Sequence, residues 1–209
     1  MKIEDLPAIT FIARNLSIDQ TMLVASQMVE TGIRSIEVSL VGADALDCIR
    51  ILSREYGSEL RIGAGTVLSL NDAVAAIDAG ASFLLSPVRL PREVMEFARE
   101  RGVLSIPSGL TPTEIHDLFS AGADIVKVFP AVRMSPAYMR DLMAPLGDLP
   151  LMAVGGIDAT NVREYLDAGA RFAGIGSGCF QKEDLERMDV HAVRCSLDVL
   201  ERTLLEPAA

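Results

Sequence analysis

The sequence predicts an α/β protein, a single-domain (β/α)8 barrel of the TIM-barrel type spanning residues 1–209. Three observations lead there. Seven glycines, Gly32, Gly57, Gly80, Gly102, Gly122, Gly147 and Gly169, recur at separations of 20 to 25 residues, the period of a repeated supersecondary unit. Each follows a helix-like segment and precedes a short apolar run, as a helix C-cap does where the backbone must turn left-handed before a strand. With one further run ahead of Gly32 there are eight, about 26 residues per β-α unit, close to the smallest complete barrels.

Taken in order, the expected strands are Ile9 to Ala13, Ser35 to Leu40, Arg61 to Ala64, Ser82 to Leu85, Val103 to Ile106, Asp124 to Phe129, Leu151 to Val154 and Phe172 to Ile175. Helix starts are marked by Ser17-x-x-Gln20 and Thr111-Pro112-x-Glu114, both capping boxes, and by Ser135-Pro136. Lys182 to about Glu206 reads as one closing helix with a polar tail. Short apolar strands alternating with amphipathic helices imply parallel β-α units, and eight of them imply closure. No Gly/Ser linker or charge block interrupts the rhythm, so one domain is expected.

The totals narrow the function. Half the residues are hydrophobic and 23% charged, so the chain can build a core. A net charge of −10 repels nucleic acid, which is therefore not an expected partner. The start Met1-Lys2-Ile3-Glu4-Asp5-Leu6-Pro7 lacks a signal peptide's apolar run and no segment approaches a membrane span, so a cytoplasmic protein without membrane contact is expected. Cys48, Cys179 and Cys195 have neither disulfide parity nor zinc spacing and are expected to be reduced thiols. His116 and His191 lie on expected helices and receive no role, and Cys179 has no partner that would activate it.

Chemistry in such a barrel gathers at the carboxyl ends of the strands. Strand alternation turns Ser35, Glu37 and Ser39 inward on the second strand, and Ile125, Lys127 and Phe129 inward on the sixth. An ammonium in the run Asp124-Ile125-Val126-Lys127-Val128-Phe129-Pro130 is a charge carried into the core. Either Lys127 is a structural partner of a carboxylate such as Glu37, or burial lowers its pKa and frees the amine to form a Schiff base, with Glu37 moving protons. Gly63-Ala64-Gly65-Thr66, Gly155-Gly156 and Gly174-Ile175-Gly176-Ser177 place glycine where no helix ends. They are tight turns or, after the seventh and eighth strands, bare amides for a phosphate. Arg14, beyond the first strand, is either a surface group or the other wall of that anion site.

These residues resemble those of a known family, the pyruvate-dependent class I aldolases of the KDPG/KHG type. Ile36-Glu37-Val38, Gly63 to Leu68, Ser86-Pro87, Lys127-Val128-Phe129-Pro130, Val154-Gly155-Gly156-Ile157 and Gly176-Ser177 carry the likeness, in order and over nearly the whole chain. The resemblance implies a barrel, usually a homotrimer without cofactor, that cleaves a 2-keto-3-deoxy-6-phospho sugar acid to pyruvate and an aldehyde. It implies Lys127 as Schiff-base lysine, Glu37 as general acid/base and Thr66 at the pyruvyl carboxylate. It further implies Arg14, Gly155, Gly156, Gly176 and Ser177 as substrate or phosphate contacts. Val154 resembles the galactonate-type members, since gluconate-type members carry threonine there.

Two departures stand out. Val41 replaces a gluconate-type arginine, with Arg133 the candidate substitute cation, and the family's Pro-Gly becomes Pro107-Ser108-Gly109. Other 2-keto acid substrates, such as 2-dehydro-3-deoxy-6-phosphogluconate or 4-hydroxy-2-oxoglutarate, stay open. So does a phosphate-binding isomerase or epimerase using Glu37 and Lys127 for proton transfer alone.

Overall fold

The computed structural model describes residues 1–176 and 178–205. Eight parallel strands alternate with helices: β1 (Ile9–Ala13), α1 (Ile18–Met28), β2 (Ser35–Ser39), α2 (Ala45–Tyr56), β3 (Arg61–Gly65), α3 (Leu70–Asp78), β4 (Phe83–Leu85), α4 (Arg92–Glu100) and β5 (Leu104–Ile106). They continue through α5 (Pro112–Ser120), β6 (Val126–Val128), α6 (Ala137–Leu146), β7 (Leu151–Val154), α7 (Val162–Asp167), β8 (Phe172–Ile175), α8 (Lys182–Glu186) and α9 (Val190–Leu205). The hydrogen-bonded order is β5-β4-β3-β2-β1-β8-β7-β6, and a parallel bridge between Ser108 and Lys127 brings the two ends together as a barrel.

The capping boxes form at Ser17 with Gln20 and at Thr111 with Glu114, the latter with proline in the first turn. A third, Ser69 with Asp72, forms at α3 because the shorter aspartate reaches back as glutamate does. Ser135 caps nothing through its side chain; Pro136 is the N-cap and α6 begins one residue later than the Ser-Pro signal suggests. Of the seven periodic glycines, Gly80, Gly102, Gly122, Gly147 and Gly169 are left-handed, but Gly32 and Gly57 are not. At Gly57 the reason for glycine is space, since a Cβ would strike the Ser53 carbonyl of the preceding turn. The expected closing helix is two: Met188, at φ +54, breaks it between α8 and α9. Glu206 lies outside the described residues.

Two apolar clusters follow from strand alternation. Ile36, Val38, Val126, Val128, Leu151 and Ala153 face the helices in the larger one. Ile12, Phe83, Leu85, Leu104, Ile106, Ile125, Met152, Val154 and Phe172 fill the barrel interior, with Phe129 packed against them. Large interior side chains are accommodated by glycines on neighbouring strands. A Cβ at Gly63 would collide with the Phe83 ring, one at Gly65 with the Glu37 carboxyl, and one at Gly174 would lie 2.9 Å from Ile12 Cδ1 and 3.0 Å from Val154 Cγ2. Gly63 and Gly174 thus serve interior packing within the strands expected for them, and Gly65, expected just past the third strand, is its last residue.

Gly63→Ala should therefore lower stability by about 1–3 kcal/mol through overpacking. Gly63→Ala/Phe83→Leu should melt above Gly63→Ala alone by calorimetry, and a Gly63→Ala chain melting with the wild type would remove this account of the packing.

Candidate active site

β6 and β5 meet at residue 127. The Lys127 amide donates to the Pro107 carbonyl at 2.8 Å, and the Lys127 carbonyl accepts from the Gly109 amide and the Ser108 hydroxyl, both at 3.0 Å. This answers the Pro107-Ser108-Gly109 departure: the displaced glycine keeps a backbone bond to the lysine, and the added hydroxyl gives that carbonyl a second donor. With residue 127 so fixed, alternation carries its side chain inward, where it is 3% exposed. The ammonium nitrogen stands 4.9 Å from the centroid of the Phe129 ring, within cation–π range.

Glu37 is likewise 3% exposed, and its carboxyl lies over Gly65 on the adjoining β3. Among the described residues, no direct ion pair within 4.0 Å joins Glu37 to Lys127. The two charges influence each other across a gap, so the purely structural neutralisation considered from sequence is not built as a contact. Burial pushes the Glu37 carboxyl up to about 7, opposed by the Lys127 charge and then by Arg14. Burial also lowers the Lys127 pKa, opposed by Glu37 and assisted by Arg14. A lysine held down and a carboxyl held up form the pair of titratable groups expected of an acid/base site.

A cavity of about 340 Å³ opens beside this pair, lined by Ile12, Arg14, Asn15, Phe129, the loops after β7 and β8, and Asp158. Lys127 and Glu37 do not themselves line it; Phe129 is the wall shared with the lysine. Arg14, Val154, Gly155, Gly156 and Gly176 are all on this cavity. Gly155 and Gly156 have φ of +96 and +75; a Cβ on Gly155 would meet Phe129 at 2.9 Å, and one on Gly156 would meet Val132. A Cβ at Gly176 would make ordinary contacts with Ile12, at 3.8 Å from its carbonyl oxygen and 3.9 Å from its Cβ. Ser177 lies outside the described residues. Thr66 directly follows β3 at φ +58 with its hydroxyl 2.9 Å from Ser39 Oγ, and is not on the cavity wall. Arg133 is not on it either, and Val41 is 66% exposed.

Sequence reasoning missed Asn15 and Asp158. Asn15 has φ +58, a conformation for which asparagine is several-fold enriched, so Arg14-Asn15 directly after a strand was a readable turn signal. Asp158 accepts from the Thr160 amide and hydroxyl, and its amide donates to the Asn161 side chain, so Asp158-x-Thr160-Asn161 was a readable Asx turn. Cys179 is pushed up to about 12 by burial and is no nucleophile at neutral pH. Among the described residues no group of three or more potential metal-ligating side chains occurs, and no helix is long and apolar enough to cross a membrane.

A family model described as "KDPG and KHG aldolase" matches residues 2–195. A probable 2-dehydro-3-deoxy-6-phosphogalactonate aldolase of Rhizobium meliloti (strain 1021) is 33% identical over 171 residues, covering 81% of this chain and 80% of the relative. A 2-dehydro-3-deoxy-phosphogluconate aldolase of Pseudomonas aeruginosa is 34% identical over 181 residues, covering 86% and 81%. A solved structure described as "Native KDPGal structure" superposes with a TM-score of 0.85 at 27% identity, over 99% of this chain and 100% of that one.

The carboxyl at Glu37 gives stability a definite pH dependence. Its folded pKa of about 7 exceeds the ordinary 4.5, so its contribution is fully present below 4.5 and lost as pH rises through 7. Glu37→Gln should be spared that loss. Relative to wild type it should gain stability from pH 4.5 to 8, by about 3 kcal/mol at most, in urea melts across that range. A pH-independent difference would show that Glu37 is not desolvated.

Proposed function

The chain belongs to the KDPG and KHG aldolase family, and from that premise we propose that it cleaves a 2-keto-3-deoxy-6-phospho sugar acid through a Schiff base on Lys127. It is an aldolase, a carbon–carbon lyase. The observation that carries the residue assignment is the buried Lys127–Glu37 pair, oppositely shifted and not in direct contact, beside a cavity of substrate size.

In this reading the neutral Lys127 amine attacks the 2-keto carbon and expulsion of water leaves an iminium, which draws electrons from C3. The Glu37 carboxylate accepts the C4 hydroxyl proton, directly or through a water, while the C3–C4 bond breaks to an enamine and an aldehyde. Protonation at C3 and hydrolysis return pyruvate and the free lysine. Stabilisation of the developing carbanion by the iminium is the main catalytic effect, and the bound ends of the substrate contribute positioning. Thr66 meets the pyruvyl carboxylate, and Arg14, Gly155, Gly156, Gly176 and Ser177 take the distal, phosphorylated end.

The first substrate we propose is 2-dehydro-3-deoxy-6-phosphogalactonate, giving glyceraldehyde 3-phosphate. The R. meliloti and P. aeruginosa relatives are about equally similar and carry different sugar names, so identity does not choose between them. Val154 favours the galactonate form: buried, on the cavity wall and lacking a hydroxyl, it cannot donate to a sugar oxygen. We also propose that residues 1–209 act as one catalytic domain, as a cytoplasmic homotrimer, which sedimentation at three chain masses would support.

Borohydride with pyruvate should attach a reduced adduct to Lys127, found by peptide mass, and Lys127→Ala should lose adduct and turnover together. Glu37→Gln should still form the adduct while kcat falls about 10²–10⁴-fold. An unmodified lysine in the wild type would defeat the imine.

The wild-type kcat/KM for cleavage should climb with pH through about 7, because both the Glu37 carboxylate and the neutral amine increase in that direction. A flat profile across this range, in a coupled pyruvate assay, would contradict the assigned roles. In the same assay, the galactonate, gluconate and 4-hydroxy-2-oxoglutarate substrates rank specificity, and turnover without pyruvate release would point to an epimerase.

A further inference from the structure

Ser39 lies two residues beyond Glu37 on β2, so it faces the same interior, and it is 5% exposed. Its hydroxyl oxygen is 2.9 Å from Thr66 Oγ1, and either atom can be the donor. Thr66 immediately follows Gly65, over which the Glu37 carboxyl lies, and its φ of +58 is a conformation that β-branched residues rarely adopt. Backbone strain of this sort persists where surrounding contacts impose it, and it gathers at binding sites. Here the Ser39–Thr66 hydroxyl pair spans the ends of β2 and β3. At the same end of β2, Val41 supplies no charge.

Each hydroxyl carries one proton. Were Thr66 to donate to Ser39, it would turn only lone pairs toward an anion. With Ser39 as donor, the Thr66 proton is free for an incoming acceptor and is polarised by the bond it receives. We propose that Ser39 is a positioning residue for the keto acid's carboxylate: its hydroxyl donates to Thr66 Oγ1 and so directs the Thr66 hydroxyl proton onto that carboxylate. Two neutral hydroxyls in series then serve where an arginine would supply charge. The inference rests on the aldolase reading, in which Thr66 meets the carboxylate, and it adds the residue that sets the direction of that hydrogen bond.

The test compares pyruvate with its uncharged amide, pyruvamide, in the wild type, Ser39→Ala, Ser39→Thr, Thr66→Val and Ser39→Ala/Thr66→Val. The readouts are KM and kcat in aldol addition to glyceraldehyde 3-phosphate, and half-saturation of borohydride trapping. Ser39→Ala should raise the pyruvate KM roughly tenfold or more, with kcat little changed and pyruvamide half-saturation unmoved. Ser39→Thr, which keeps the hydroxyl, should restore the wild-type KM, and the double variant should be no worse than Thr66→Val. Ser39→Cys keeps the volume with a weak donor and should lose the same selectivity, which preserves the test if the alanine variant does not fold. A Ser39→Ala enzyme with the wild-type pyruvate KM would overturn the proposal, as would equal losses for pyruvate and pyruvamide, or a full additional loss in the double variant. A wild type that traps no pyruvate at Lys127 defeats the aldolase chemistry itself. Trapping without a carboxylate-selective effect defeats only the role of Ser39.

Discussion

The constraint on which the site depends is that the barrel closes at the residue whose ammonium it buries. The two ends of the sheet meet through the backbone of Lys127, which uses its amide toward Pro107 and its carbonyl toward Ser108 and Gly109. Strand alternation then leaves the side chain one direction, into the interior. Water is lost there and, among the described residues, no carboxylate within ion-pair distance replaces it, so desolvation outweighs the attraction of Glu37 and the neutral amine gains ground. The same balance, with the sign reversed, raises Glu37. A contact ion pair would hold the amine protonated and block attack on a carbonyl; separation by a gap is what lets burial act on both groups.

Around the two groups the interior is close-packed. Glycine makes that packing possible on β3 and β8. Gly65 leaves the space that the Glu37 carboxyl occupies, Gly63 that of the Phe83 ring, and Gly174 room for Ile12 and Val154, with which it lines the cavity. Gly155 and Gly156 differ, since both sit at positive φ in the loop after β7 on the cavity wall. Glycine thus serves close packing on the strands and a left-handed turn in the loop that walls the cavity.

This division explains what could be read from the sequence. Eight strands, their parity and the inward direction of Glu37 and Lys127 follow from local periodicity, and the strands fell within two residues of their expected bounds. The glycines of β3 were harder, because what Gly63 and Gly65 face is a side chain from another strand, and a linear pattern carries no cross-strand partner. Gly32 and Gly57 kept the period without the left-handed backbone, since a position can require glycine for space alone. The break at Met188 was hidden by an apolar period that continues across it. In the site, Arg14, Val154 and the glycines of the last two loops converge on one cavity. Arg133 stands apart from it, because the short helical turn Ala131–Arg133 follows β6 before the chain turns away. The Ser39–Thr66 hydroxyl bond had no sequence signature beyond inward parity.

Arg14 ties the two parts of the site together. Its charge lowers the pKa of both Glu37 and Lys127, favouring carboxylate and free amine before substrate arrives. In a chain of net charge −10 it is also the cationic side chain on the cavity wall, where Asp158 is the carboxylate. An anion seated against Arg14 offsets part of that charge, and the reduced field lets the pKa of both buried groups rise. For the proposed reaction the two shifts have opposite consequences. Attack on the keto group needs the free amine, whereas loss of water from the resulting carbinolamine needs a proton donor, and a Glu37 near 7 requires only a small rise to become one. In that proposal, seating the substrate's anion on Arg14 favours the Glu37 proton donor that dehydration needs and works against the free amine that attack needs, so the attack relies on the burial of Lys127.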